Sequence, residues 1–345
     1  MRERDLVAAI RRRFSPDPAG GGLVLGIGDD CAVWRSTPGA LTLATTDTLV
    51  EGVHFDRGWH PPRLLGRKAA AANLSDIAAM GGRPCWALLS LGLPPDLADD
   101  WITAFLDGLG EALAAAGTTL AGGDTVASPG GVTITVCLLG EGREPGIVRR
   151  AGARPGDLIW VGDRLGAAGA GLALCQAGLA DRHPEWAHLV AAHLDPGHQV
   201  ALGQALAATG LLTAMMDLSD GLATDLARLA EESGVGAEVE AAAVPLAAGL
   251  EAAALAVGRQ ALDWALAAGD DYRLLFTAAP AAAEALATAA ARAGATIFPV
   301  GRIVPGQGVM LLEGGGRREI SHQGFEHFAA GPGPGVIGVR PATRR

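Results

Sequence analysis

The chain has 345 residues, 49% of them hydrophobic, and a formal net charge of −10 from 37 acids against 27 bases. That length allows two domains with a sizeable core. The acidic balance argues against a nucleic-acid partner, which would require a basic patch, and an anionic substrate would need local cations to approach. Met1 to Phe14 are too charged for a secretory segment, and no apolar run free of Gly, Pro and charge is long enough for a bilayer, so no membrane partner is expected. Cys31, Cys85, Cys137 and Cys175 lie far apart without a C-x-x-C pair, which signals neither zinc nor a disulfide framework. A cytoplasmic protein with reduced thiols is the expectation.

In chain order, Leu6, Ile10 and Phe14 recur at four-residue spacing and predict a short packing helix over 4–14. Leu23 to Ile27 reads as a strand running into Gly28-Asp29-Asp30. Leu41 to Thr46 reads as a second strand with Asp47 at its C-terminal end, where ligands gather in α/β proteins. His54 has two readings, a structural histidine or one that reaches a bound anion. Residues 64–80 are rich in helix formers, with Asn73, Asp76 and Met80 on one face and Leu74, Ile77 and Ala78 on another. Gly81-Gly82 ends that helix. Trp86 to Leu91 is a strand, and 97–116 is an amphipathic helix with a core stripe of Trp101, Phe105, Leu109 and Leu113. Thr118 to Ala121 is a short strand leading into a Gly122-Gly123-Asp124-Thr125 turn, and Val132 to Leu138 alternates as a half-buried strand.

Residues 142–156, with Gly, Pro and four arginines, read as a linker in which Arg149 or Arg150 could clamp phosphate. The boundary therefore divides 1–145 from 146–329, with a disordered Gly/Pro-rich tail at 330–345. The second part opens with a strand at Leu158 to Val161 and continues through helices near 166–177, 185–192 and 198–208. His188, His193 and His198 recur at five-residue steps and read as structural. Met215 to Asp217 is a strand, Ser219 a natural N-cap, and a helix follows to Ser233. Further strands are expected at 235–239, 273–277 and 296–300, a helix at 280–293 and a hairpin at 309–320.

Asp30, Asp47, Asp76, Asp124, Asp217, Asp220, Asp270 and Asp271 sit in apolar or Gly-rich surroundings. Burying a carboxylate unpaired is costly, and Lys68 is the only lysine, so such a set asks for metal ions. Oxygen ligands without a His or Cys cluster select hard cations, Mg²⁺ first, which usually also holds substrate phosphates. The helix start after Asp217 suits a phosphate only with a cation between it and the acids. No P-loop and no kinase lysine–glutamate pair is present.

Gly26-Ile27-Gly28-Asp29-Asp30-Cys31-Ala32, Thr46-Asp47-Thr48-Leu49-Val50 with His54-Phe55, Asn73-Leu74-Ser75-Asp76, Gly122-Gly123-Asp124-Thr125, Asp217-Leu218-Ser219-Asp220-Gly221 and Phe325-Glu326-His327-Phe328 occur in one order along the chain. This ordered set resembles the thiamine-monophosphate kinases, whose superfamily includes aminoimidazole ribonucleotide synthetase, selenophosphate synthetase and a hydrogenase-maturation dehydratase. The resemblance implies a two-domain α/β fold that pairs as a homodimer through its N-terminal sheet. It implies ATP as co-substrate, thiamine monophosphate as acceptor, and several Mg²⁺ ions, with K⁺ as a further candidate cation. Residue by residue it implies Asp30, Thr45, Thr46, Asp47, Asp76, Asp124, Asp217 and Asp220 as metal ligands. Gly123, Asp124, Arg150 and Ser219 would contact ATP, and His54, Asp270 and Phe325 the acceptor.

The family's Gly-Gly-Glu-Asp-Tyr-Glu reads Ala268-Gly269-Asp270-Asp271-Tyr272-Arg273 here, so Asp270 is one methylene shorter than the usual Glu and Arg273 reverses a charge. The acceptor would be a phosphate oxygen, ionised near neutrality, so no general base is expected. A selenophosphate synthetase would carry a reactive cysteine before Cys31, and the maturation enzyme a terminal one; neither is present. A purine-intermediate synthetase and a catalytically silent binding paralogue remain as alternatives.

Overall fold

The computed structural model describes residues 3–14, 22–27 and 30–324. Phe325 and the tail expected at 330–345 lie outside the described residues. Helix α1 (Glu3–Arg13) buries Leu6 and Ile10, as their spacing requires. Strands β1 (Leu23–Leu25) and β2 (Val33–Trp34) form a small antiparallel ribbon, and Trp34 stacks on Trp86. A four-stranded sheet follows from β3 (Leu41–Val50), β4 (Arg83–Leu93), β5 (Thr119–Ala127) and β6 (Thr133–Gly142), ordered β3-β6-β4-β5. Only β4 and β5 run parallel. Helices α2 (Pro62–Ala79) and α3 (Asp99–Ala115) cover one face. Alternation along β3 turns Thr45, Asp47 and Leu49 toward that face and Thr46 and Thr48 toward the other.

The second half holds a seven-stranded sheet of β7 (Leu158–Val161), β8 (Leu212–Asp217), β9 (Gly236–Glu240), β10 (Leu274–Ala278), β11 (Phe298–Val304), β12 (Val309–Glu313) and β13 (Gly316–Glu319). Its order is β13-β12-β9-β11-β7-β10-β8, antiparallel except between β9 and β12. Its helices are α4 (Ala167–Gln176), α5 (Ala187–Leu194), α6 (Val200–Ala207), α7 (Leu222–Ser233), α8 (Leu250–Ala256), α9 (Ala261–Ala267) and α10 (Ala283–Arg292). Strand alternation splits the core between two layers. Trp160, Met215, Leu274 and Phe276 face one way and merge with Leu74 and Ile77 of α2, Leu202 and Leu206 of α6, and Leu286 of α10. Ile159, Val161, Met216 and Leu275 face the other way, onto Leu222, Leu226 and Leu229 of α7.

One core therefore runs through both halves, with α2 at its centre. The helix is buried on nearly every side rather than on one stripe. Full burial of each of Leu74, Ile77 and Phe276 contributes about 1.5–3 kcal/mol through removal from water. Docking of the halves is thus driven by the same apolar contacts that fold each of them.

Three local expectations are corrected. The second strand does not stop at Thr46; β3 continues to Val50 in unbroken register with β6, so Asp47 lies inside a strand opposite Val136. Threonine and valine favour the extended backbone, and they carry it past the acid. Gly122-Gly123-Asp124-Thr125 is no turn but the middle of β5. A Cβ on Gly123 would stand 1.9 Å from the Leu89 carbonyl oxygen, so the glycine is there to let β4 and β5 approach. Ser219 does not cap α7; Gly221 occupies the N-cap with φ +104° and no side-chain bond.

Candidate active site

The free edge of β3, helix α2 and the ends of β8 and β10 meet at one place. Strands β8 and β10 are antiparallel, with Asp217 opposite Leu274, so the residues after β8 and before β10 emerge at the same end. These two loops are laced together. Asp270 N–H donates to Ser219 O at 3.0 Å, Tyr272 N–H to Leu218 O at 2.9 Å, and Leu218 N–H to Arg273 O at 2.8 Å. The contact is so close that a Cβ on Gly269 would lie 2.3 Å from Ser219 O.

Between this pair of loops, β3 and helices α4 and α9 lies a cavity of about 830 Å³. Thr46, Asp47, His54, Ser219, Asp220 and Asp270 all line it, and so join across more than two hundred residues of sequence. Leu172 and Ala173 of α4, with Trp264 and Leu266 of α9, supply an apolar wall beside these polar groups. An aromatic or aliphatic wall next to a few convergent polar groups suits a ligand that is part apolar and part polar.

Behind the polar wall sits a second tier. Thr45 Oγ1 donates to Asp76 Oδ2, and the Asp47 carboxyl stands close enough to Asp76 for each to bear on the other's ionisation. Asn73 Oδ1 accepts the Asp47 N–H at 3.1 Å, which fixes the strand to α2. Ser75 Oγ donates to Asp217 Oδ2 at 2.8 Å, which fixes α2 to β8. Burial, then the charges of Asp76 and Asp217, push the Asp47 carboxyl up to about 7. Burial, then Asp76, push Asp217 up to about 7 as well, against the bond from Ser75 and the charge of Arg150. Burial raises Asp76, opposed by Thr45 and Arg150. Three acids crowded in this way repel one another, and a cation would relieve them. Arg150 is exposed, yet its charge acts on two of the three.

The remaining acids are placed differently. Asp220 lines the cavity, but Arg228 of α7 donates to its Oδ2, so a metal there would share it with a guanidinium. Asp225, fully buried, accepts the Asp220 N–H at 2.9 Å; burial first, then Asp220 and Asp217, push it up to about 8. Asp124 is exposed and falls in the row Thr48, Thr135, Ser90 on the outer face of the four-stranded sheet. That face is opposite the one bearing Asp47. Gly123 beside it and Asp30 are exposed too. Among the described residues no three His, Cys, Asp or Glu side chains converge on a single point as a preformed metal cage.

Asp270 is engaged rather than merely short. Its Oδ2 accepts Lys68 Nζ at 2.8 Å and its Oδ1 accepts the Tyr272 hydroxyl at 3.1 Å. Arg273 lies just before β10 rather than inside the strand expected at 273–277; its side chain is 23% exposed, and its Nε lies 3.8 Å from Asp163. His54 Nδ1 accepts the Val50 N–H at 3.0 Å, which sets the ring at the end of β3. Sequence reasoning missed Lys68, His193, Trp264 and Tyr272 as parts of the site. A sole lysine, and one tryptophan in an alanine-rich helix, were the signals available.

Two family models match the chain: AIR synthase related protein, N-terminal domain, over residues 28–142, and its C-terminal domain over 154–312. Thiamine-monophosphate kinase of Escherichia coli strain K12 is 38% identical over 308 residues, 88% of this chain and 92% of that one. The crystal structure of thiamine-monophosphate kinase from Stenotrophomonas maltophilia K279a aligns with TM-score 0.80 at 37% identity, over 90% of this chain and 96% of the other. A ThiL structure complexed with AMPPCP and TMP aligns with TM-score 0.74 at 31% identity, over 95% and 99%. A hydrogenase maturation protein complexed with ATP shares the fold alone, at 21% identity and TM-score 0.76. With both family models matched in order and kinase relatives aligned over nearly their whole length, the chain belongs to the thiamine-monophosphate kinases of the AIR synthase related proteins.

Proposed function

We propose that this chain transfers the γ-phosphoryl group of ATP to the phosphate of thiamine monophosphate, giving thiamine diphosphate and ADP. The observation that carries the reading is the cavity itself, in which Asp47, Ser219 and Asp220 stand beside the apolar wall of Leu172 and Trp264. Its support from outside the molecule is the set of kinases that the chain resembles, one of them seen with an ATP analogue and TMP. The acceptor is a phosphate oxygen whose second pKa is about 6, so it is largely ionised at neutral pH and needs no base. The residues' work is to position two polyanions and offset their repulsion.

Mg²⁺ fits the donor set: carboxylates and a threonine hydroxyl, all oxygen, crowded enough to repel one another. Asp47, Asp76 and Asp217 would hold it, with Thr45 as a further oxygen donor. With substrate phosphates completing the ligand set, as is usual for this ion, the site needs no all-protein cage. When bound, Mg²⁺ would supply charge neutralisation of the phosphates. Arg150 would add a cation from the segment that joins the halves, and Ser219 polar groups at the start of α7.

Five further parts of the reading are proposed with it. Asp30, Asp124 and Phe325 join the site in the complete assembly, and K⁺ assists. The units divide at 145/146. The outer face of the four-stranded sheet, with Val126 exposed on β5, packs against a second copy. The protein works in the cytoplasm; among the described residues no helix is long and apolar enough to cross a membrane.

The test is direct. The full chain is incubated with MgATP and thiamine monophosphate, with and without K⁺, and thiamine diphosphate is measured by chromatography. Product that disappears with a chelator is expected. Tight acceptor binding without ADP release would instead favour a silent binding paralogue. Light scattering of the same sample reads the dimer.

A further inference from the structure

Lys68 is the single lysine of a chain that otherwise draws its positive charge from 26 arginines. It projects from α2 and is wholly buried. Its Nζ donates to Asp270 Oδ2 at 2.8 Å and to the His193 carbonyl at 3.3 Å. It therefore ties the first half to two separate segments of the second. The flanking residues Ala69 to Ala72 are small, apolar and buried, so the ammonium is the one charge on this stretch of helix.

The partner sits in a strained loop. Asp270 and Tyr272 both have positive φ, +67° and +47°, a conformation that costs a non-glycine residue roughly 1–2 kcal/mol. Side-chain contacts hold it in addition to the backbone bonds from Asp270 and Tyr272. Lys68 takes one Asp270 oxygen and the Tyr272 hydroxyl the other, while Asp271 accepts the N–H groups of Gly166 and Ala168 at 2.6 and 3.2 Å. Asp270 is 31% exposed, on the cavity side, whereas Lys68 reaches no solvent. His60 and His193, each 1% exposed, flank the pair. Burial, then Lys68, push both histidines down, His60 to about 3. They are neutral, which leaves Lys68 as the cation beneath this wall. Burial works against the charge of Asp270, yet Lys68 and its other donors hold it down at about 2.

We propose that Lys68 is a positioning residue: from beneath the cavity it holds the Asp270 carboxylate charged and aimed, so that Asp270 presents a fixed acceptor to an N–H donor on the ring portion of the acceptor substrate. The inference rests on the kinase reading for the identity of that substrate. The Lys68–Asp270 pairing itself does not.

The experiment uses K68M, K68R, D270N and the charge-free pair K68M/D270N in the full chain. KM is measured separately for thiamine monophosphate and for ATP. K68M is expected to raise the acceptor KM tenfold or more while the ATP KM stays within twofold. K68R is expected to fall between K68M and wild type. The double variant is expected to be no worse than either single one, because both remove one interaction. Equal changes in both KM values, or none in a folded K68M, would overturn the proposal. Should K68M fail to fold, the double variant, with no buried charge left unpaired, carries the same comparison.

A second readout needs no turnover. With one lysine, protein labelled with ¹⁵N-lysine gives one Nζ signal. That signal is expected to move when thiamine monophosphate is added, to stay put with MgATP alone, and to collapse into exchange in D270N. An unchanged signal in D270N would refute the pairing, whereas a wild type that makes no thiamine diphosphate would refute the kinase reading alone.

Discussion

Ser75 on α2 and Asp217 at the end of β8 are joined by a 2.8 Å hydrogen bond between a hydroxyl and a buried carboxylate. The bond pins the strand end that carries Asp217 to the helix at the centre of the core shared by both halves. It also lowers the proton affinity of Asp217 against the effect of burial. Ser75→Ala should therefore cost about 1–3 kcal/mol of stability, the usual penalty for stranding a buried polar group. It should also shift the acidic limb of the kcat/KM profile to higher pH, because Asp217 then ionises later. Urea melts and a pH series read both effects; a profile that stayed in place would separate Ser75 from the ionisation of Asp217.

Metal affinity should depend on pH in a defined direction. Asp47 and Asp217 each sit near 7 and must lose their protons to ligate a cation. Mg²⁺ binding should strengthen as pH rises from 6 to 8 and flatten above that, with protons released on binding. Titration calorimetry in two buffers of different ionisation enthalpy measures the release directly. Identical apparent heats at pH 6.5 would place the metal elsewhere.

Asp47→Asn should separate stability from activity. A carboxylate raised from 3.8 to about 7 in the folded state contributes stability that is complete below pH 4 and lost as pH climbs through 7. The amide removes that loss. The variant should melt higher than wild type at pH 8 in a chelator, by a margin that narrows as pH falls toward 4. Its kcat should fall about a hundredfold to a thousandfold. Thermal melts paired with the product assay test this, and an active variant would take Asp47 out of the site.

Gly269→Ala probes the lacing of the two loops. The added methyl meets Ser219 O at 2.3 Å, so one loop must move. A loss of about 1–3 kcal/mol is expected, as for other overpacked sites. Since Ser219 and Asp270 lie on opposite sides of that contact, the KM values for ATP and acceptor should rise together. That pattern contrasts with the split expected for K68M.

Much of this architecture was legible in single segments. The alanine-rich run through Asp76 gave α2, and the Trp101, Phe105, Leu109, Leu113 stripe gave α3, because a long helix writes its period into consecutive residues. Two glycines before Asp124 read as a turn, since nothing in the local sequence reports that Leu89 needs the space. Asp47 was read as a strand end because its side chain is polar, although the strand is set by its pairing with β6. The order of the seven strands left no local trace at all, being fixed by contacts between distant segments. The grouping of Asp47, Asp76 and Asp217 was suggested by composition and resemblance, but the separation of Asp124 onto the opposite sheet face follows only from register. Lys68 was legible as a rarity, not as a function.

The crowded acids have divided parentage. Asp47 and Asp76 come from the segment before residue 142, Asp217 and Asp220 from the segment after 154. On the proposed reading neither piece alone holds the full set of metal ligands, and the cavity takes its lining from both. The core that joins the pieces is continuous with the cavity's surroundings, so a mutation that loosens the seam would be felt both in stability and in whatever the cavity binds.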